Sequence, residues 1–69
     1  MTKMVFNQEK AKKDVIESYE AFGISVEDPL RITMWVDAIP DGTELCFPEG
    51  EDWVRYDGLM IHKDCCVEV

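Results

Sequence analysis

The sequence predicts an α+β domain in which one N-terminal helix packs on a four- or five-stranded, mostly antiparallel sheet. Three features indicate this class. They are one apolar stripe at helical spacing over residues 8–22, period-two alternation after residue 29, and an Asp57-Gly58 pair between two apolar segments. The chain has 69 residues, and no repeat, low-complexity tract or linker divides it. We therefore expect a single domain, residues 1–69.

The predicted helix over residues 8–22 has a start signal, an amphipathic body and a stop signal. Asn7 can cap the first turn, since its side-chain oxygen accepts from an otherwise unpaired backbone amide. The apolar residues recur at helical spacing and comprise Ala11, Val15, Tyr19 and Phe22. Gly23 follows, and it suits the left-handed position that ends many helices.

Residues 30–38 alternate between apolar and mixed positions, which favours a strand. The inward face of this strand would comprise Leu30, Ile32, Met34, Val36 and Ala38. Trp35 and Asp37 would then lie on the opposite face, away from the presumed core. A second helix is the alternative, because Asp28 can act as its N-cap and Pro29 suits the first helical position.

Turn residues and short apolar segments predict the remaining strands. Residues 43–47 form one strand, with Leu45 and Phe47 directed inward. Residues 53–56 and 59–62 flank Asp57-Gly58 and should pair as a hairpin, because this dipeptide favours a tight two-residue turn.

The last predicted strand covers residues 65–69 and returns onto the hairpin. A three-residue loop over residues 62–64 would pair Ile61 with Cys65 and would keep the apolar side chains on the core face. We choose this loop because the hydrophobic pattern sets the register of a strand.

The side chains that could carry chemistry are few. The three cysteines are Cys46, Cys65 and Cys66, an odd number with two adjacent, which fits neither a disulfide framework nor the separated pairs of a zinc site. His62 is the only histidine, and a small domain has little volume for a catalytic pocket. We expect no enzymatic activity, no metal and no cofactor.

The charge of the chain is strongly acidic and uneven. The net charge is −8, and residues 1–13 carry four lysines against one glutamate, so residues 14–69 hold all of the acidic surplus. This charge argues against direct binding to nucleic acid or to an anionic membrane. No apolar run approaches the roughly 20 residues of a membrane span, and the N-terminus lacks the apolar region of a signal peptide. A cytoplasmic location is therefore expected.

The acidic surface is the candidate site for a basic partner. Carboxylates lie about 5 to 7 Å apart at i,i+2 on extended chain and at i,i+3 on a helix, so they can occupy successive phosphate positions of a nucleic-acid groove. The predicted acidic contacts are Asp14, Glu17, Glu20, Asp37, Glu49, Glu51, Asp52 and Asp57. Trp35 and Trp53 stand among these acids and are the predicted aromatic anchors.

In its length, its acidity and its lack of catalytic motifs, the sequence resembles small phage-encoded inhibitors, namely the anti-CRISPR proteins and DNA-mimicking restriction inhibitors. The resemblance implies a stoichiometric binder that blocks a protein complex through its basic nucleic-acid-binding groove. The alternative is a small acidic accessory or regulatory module that binds protein without nucleic-acid mimicry. In that case the acidity serves only solubility.

Overall fold

The structure is a computed structural model that describes residues 1–69, and it confirms the α+β class with five strands in two antiparallel sheets. The strands are β1 (Thr2–Phe6), β2 (Glu44–Phe47), β3 (Trp53–Tyr56), β4 (Leu59–His62) and β5 (Cys66–Glu68). The α-helices are α1 (Gln8–Ala21) and α2 (Pro29–Thr33), and single 3₁₀ segments cover Met34–Ala38 and Lys63–Cys65. None of these helices has the length and apolar character that crossing a bilayer requires.

The strand β1 is the centre of the larger sheet, and the sequence did not predict it. It pairs with β2 on one side and with β5 on the other, in the order β2-β1-β5. Met4 and Phe6 alternate with exposed or half-buried neighbours and are buried, so one face of β1 covers the core. The N-terminal residues therefore join the two sequence-distant strands.

The caps of α1 are those that the sequence predicts. The Asn7 side chain accepts a hydrogen bond from the backbone amide of Lys10 at 2.8 Å. At the other end Gly23 has a φ of +76°, and the amide of Ile24 donates to the carbonyl of Tyr19 at 3.0 Å. This hydrogen bond belongs to the Schellman motif, in which a residue with left-handed backbone conformation ends the helix. The helix ends at residue 21, one residue before the predicted end.

Only the N-terminal half of the apolar stripe of α1 is buried. Ala11 is fully buried and Val15 is half-buried, whereas Tyr19 is 39% exposed and Phe22 is 84% exposed. The helix therefore packs on the core at its start and extends past the core at its end. The side chains of its last turns form one wall of a surface groove.

The strand prediction for residues 30–38 is wrong, and the alternative helix is the observed structure. The Asp28 side chain accepts from the amide of Arg31 at 3.4 Å, and Pro29 occupies the first turn. The fully buried residues are Thr33, Val36 and Ile39, a spacing of three that matches a 3₁₀ turn better than a strand. Leu30 and Met34, which the strand would have buried, are 77% and 68% exposed.

The β3–β4 hairpin is confirmed with the predicted turn. Asp57 and Gly58 both have positive φ, +48° and +80°, which is the geometry of the two-residue turn that this dipeptide favours. Tyr56 pairs with Leu59, and strand β2 is also confirmed over Glu44–Phe47.

The predicted pairing of the last strand with the hairpin is wrong. The segment Lys63–Cys65 forms a 3₁₀ turn, and β5 leaves the hairpin to pair with β1, with Cys66 opposite Phe6. The local hydrophobic pattern favours pairing with the neighbouring strand, whereas β1 offers an edge on which Cys66 becomes buried.

One apolar cluster holds the elements together. Its ten buried residues come from both sheets, both helical regions and the turn before β5. They are Met4, Phe6, Ala11, Val36, Ile39, Leu45, Phe47, Ile61, Cys65 and Cys66. Val54, Tyr56 and Leu59 of the hairpin and Trp35 pack against this cluster and are partly buried. The hairpin is thus fixed beside the helices.

Candidate binding surface

The two tryptophans of the chain line the same groove. This aromatic groove, about 320 Å³ in volume, lies between α1, the α2 region and the β3–β4 hairpin. Its lining is mostly apolar and includes Asp14, Tyr19, Trp35, Trp53, Met60 and His62. Three of the predicted contacts, Asp14 and both tryptophans, are therefore brought together although they are far apart in sequence.

Trp53 is the most accessible aromatic side chain of the groove. It is 51% exposed and lies at the start of β3, two residues after Glu51. Its ring contacts His62 edge-on, with 4.7 Å between ring centroids. This contact holds the indole in place while one side remains open, as an interface anchor requires.

The prediction that Trp35 lies away from the core is wrong. Trp35 is half-buried against the core, and its ring centroid lies 6.5 Å from that of Phe6. The physical reason is that residues 34–38 are a 3₁₀ turn, so strand alternation does not apply. Trp35 forms the floor of the groove.

His62 is held by the turn that follows it. Its Nδ1 accepts a hydrogen bond from the amide of Asp64 at 3.0 Å and lies 3.4 Å from the Asp64 carboxylate. Trp53 and His62 are also directly opposite each other in the hairpin ladder. The imidazole therefore acts as a cap of the turn and as a support for the indole.

Three of the predicted acidic contacts are paired with lysines. Asp52 lies 2.9 Å from Lys63, and the hydrogen bond and charge of that ammonium lower the pKa of Asp52 and raise the pKa of Lys63. Asp37 lies 2.9 Å from Lys12, and both side chains remain accessible. Glu17 makes a longer pair, at 3.9 Å, with the lysine four residues before it. These carboxylates are less available to a partner than the sequence implies.

The other five predicted acids have no lysine or arginine nitrogen within 4.0 Å. They are Asp14, Glu20, Glu49, Glu51 and Asp57. Asp14 is partly buried in the groove, and the other four are exposed.

A second, polar cleft of about 370 Å³ is lined by Asp52, the residue before Trp53. Four acids line it, namely Glu51, Asp52, Asp64 and Glu68, of which the last two are not among the predicted contacts. The four acids outnumber the two lysines of its lining, Lys10 and Lys63, and we call it the acidic cleft. Glu68 lies opposite Met4 in the β1–β5 pair, a long-range contact that no local sequence signal indicates. Five predicted acids line neither the groove nor this cleft, namely Glu17, Glu20, Asp37, Glu49 and Asp57.

The thiols of the core are protonated at neutral pH. Burial and the nearby Asp14 carboxylate raise the pKa of the Cys65 thiol to about 12, and burial also raises the pKa of Cys66. The Cys65 thiol lies 3.9 Å from the Asp14 carboxylate as a weak donor. Since the thiolate is the reactive form, neither buried cysteine is an activated nucleophile. Cys46 is free and exposed.

The structure contains no group of three or more His, Cys, Asp or Glu side chains placed to hold a metal ion. No family model, curated protein or solved structure matches this chain. The function therefore has to be inferred from the groove and the acidic cleft.

Proposed function

We propose that the protein is a stoichiometric binding protein, without chemistry of its own, whose acidic surface occupies a basic nucleic-acid-binding site on a larger complex. The observation that carries the proposal is the position of Trp53, which is half-exposed in the aromatic groove and directly follows Asp52, a residue of the acidic cleft. A partner that meets this surface would contact an apolar anchor and carboxylates at the same time.

The charge of the chain supports a basic partner. The net charge is −8, and only four of the 15 carboxylates lie within 4.0 Å of a lysine. Unpaired surface charge attracts an oppositely charged partner over a distance and raises the association rate more than the affinity. A basic groove that normally holds nucleic acid has the complementary charge.

The protonated state of the core thiols supports binding over catalysis. Cys65 has the raised pKa described above, and His62 is engaged as a turn cap. Three free cysteines also fit a reducing compartment, so the proposed location is the cytoplasm.

The second candidate is an accessory module that binds protein without mimicking nucleic acid. The pairing of Asp37, Asp52 and Glu17 with lysines favours it, because paired carboxylates present less phosphate-like charge. The two candidates differ in whether the protein and nucleic acid compete for one site.

The test is a competition assay on the host complex that the protein captures. We expect saturating protein to displace DNA or RNA from that complex, and we expect the association rate to fall steeply with salt, since exposed charges are screened within about 8 Å at physiological ionic strength. A complex that binds nucleic acid equally well with the protein saturating would exclude mimicry and favour the accessory module.

Matched variants separate charge from anchor. Glu51→Lys reverses an unpaired carboxylate of the acidic cleft and should slow association by about threefold at low salt. Glu9→Lys makes the same charge change at an exposed acid that lines neither cleft and is not a predicted contact, and it should slow association much less. Trp53→Ala should weaken the free energy of binding to the partner by about 2 kcal/mol or more, mainly because the complex dissociates faster. The control Phe22→Ala removes an aromatic ring that is 84% exposed and lies outside both clefts.

A further inference from the structure

The aromatic groove continues into a second apolar cleft along the two helices. This smaller cleft, about 140 Å³, shares Tyr19 and Ile32 with the groove and adds Ile24 and Val26 from the segment between α1 and α2. The two depressions together form one trough that runs past the C-terminal half of α1. Met60, Trp53 and Tyr19 border it and are 50%, 51% and 39% exposed. Exposed apolar side chains that adjoin one another in this way are typical of interaction sites.

The charged groups of the trough are mostly acidic. Asp14 lies at the groove end, and Glu27 and Asp28 lie at the other end, with Arg31 as the only lysine or arginine. None of these three carboxylates has a lysine or arginine nitrogen within 4.0 Å. The chemistry that complements this trough is an apolar surface flanked by positive charge.

A second copy of the chain does not have that chemistry. Each copy carries a net charge of −8, and five of its seven basic side chains are already engaged. Four of them are lysines paired with carboxylates, and Lys10 donates to the carbonyl of Cys66 at 2.7 Å. Only Arg31 and Arg55 remain for new pairs, so the association of two copies would bring many like charges together and form few ion pairs.

The walls of the trough favour a helical occupant. The walls are formed by side chains of α1, of residues 32–35 and of one face of the hairpin, so they offer few backbone hydrogen-bonding groups. A helical occupant needs none, because its own backbone groups are hydrogen-bonded within the helix. An extended peptide would need an open sheet edge for its own backbone, whereas a helix satisfies its backbone internally. Apolar residues at i, i+4 and i+7 of such a helix would all face the trough.

We infer that the trough binds a basic amphipathic helix of the partner protein, with its apolar face against Trp53, Tyr19 and Met60. This inference rests on the proposed function, since it names the part of the partner that the anchor engages. The positive residues of that helix would lie beside Asp14 at one end and Glu27 at the other.

The test uses three synthetic peptides of about 18 residues, which is long enough to form a helix in isolation. The first peptide is rich in lysine and has leucine at i, i+3, i+4 and i+7, so that it forms a basic amphipathic helix. The second peptide has the same composition in scrambled order. The third peptide has glutamate in place of every lysine. Intrinsic tryptophan fluorescence of the protein reports binding, because the peptides contain no tryptophan. We expect the first peptide to bind at least about tenfold more tightly than the scramble and the acidic peptide.

Two methionine variants test the position of the helix. Met60→Gln should weaken binding of the first peptide by about tenfold. Met34→Gln is the matched control, because Met34 is 68% exposed and lines neither depression, and it should change the affinity by less than about twofold. Equal binding of the scrambled peptide, or equal loss in both variants, would overturn the inference. So would a dimer of the free protein, in sedimentation, that Met60→Gln dissociates.

The outcomes also separate this inference from the proposed function. If no peptide binds but saturating protein still displaces nucleic acid from the host complex, only the trough inference fails. If the basic peptide binds as expected and the complex keeps its nucleic acid, the proposed function fails and the trough remains a protein-binding site.

Discussion

Replacing Phe6 with alanine should remove a large part of the stability of the fold, whereas the same change at Phe22 should not. Phe6 is 1% exposed on the central strand β1, and Phe22 is 84% exposed after the last turn of α1. Truncation of a buried phenylalanine costs about 3 to 5 kcal/mol, because transfer energy is lost and a cavity remains. The total stability of a domain of this length is only about 3 to 10 kcal/mol.

The assay is urea or thermal unfolding followed by circular dichroism. Phe6→Ala should lower the midpoint temperature by at least about 12 °C, since each kcal/mol is worth about 4 to 8 °C in a domain of this size. Phe22→Ala should stay within about 0.5 kcal/mol of the unmodified protein. Equal losses in the two variants, or a loss below about 1 kcal/mol for Phe6→Ala, would refute the placement of β1 at the centre of the core.

Two further predictions concern the thiols. In the folded protein a maleimide should modify Cys46 alone, and Cys65 and Cys66 should react only after unfolding. Mass spectrometry counts the adducts. Cys46→Ser should abolish labelling of the folded protein. The free energy of unfolding should fall as the pH rises from 9.0 towards 12, because the folded state keeps the Cys65 proton that the unfolded state loses. The contribution of this one group is at most about 1.4 kcal/mol per pH unit. Cys65→Ala should flatten the decline, and equal slopes would contradict the raised pKa.

The elements that the sequence predicts correctly are those whose determinants lie within a few residues. Asn7 caps α1 and Gly23 ends it through hydrogen bonds to adjacent turns. Asp57 and Gly58 fix the hairpin by their own backbone conformation. None of these signals depends on where the rest of the chain lies, so local chemistry is sufficient to predict them.

The missed elements depend on distant partners. Strand β1 has only five residues, and it becomes a strand because residues 44–47 and 66–68 pair with its two edges. For residues 29–38 the helix signals at Asp28 and Pro29 and the period-two pattern conflict. The core favours the helical form, which buries Thr33, Val36 and Ile39 at a spacing of three. Short segments of this kind are settled by tertiary packing rather than by propensity.

The candidate site shows the same division. The sequence predicts Trp35 and Trp53 among carboxylates as a candidate interface, but it does not predict how the folded chain arranges these side chains. Trp35 reaches the groove through a 3₁₀ turn that the sequence prediction did not favour. Asp37 and Asp52 are paired with lysines at positions 12 and 63, contacts that only the folded chain creates.

A partner bound in the open trough would stabilise the folded protein. A chain of this length buries only about 60% of the surface that its unfolded form exposes, and Trp53 and Met60 remain about half exposed. A partner that binds only the folded state adds about 2.7 kcal/mol of stability when its concentration is about 100 times its Kd. That gain is a large fraction of a total of about 3 to 10 kcal/mol. The side chains that the small core leaves uncovered are thus the ones through which a partner would stabilise the fold.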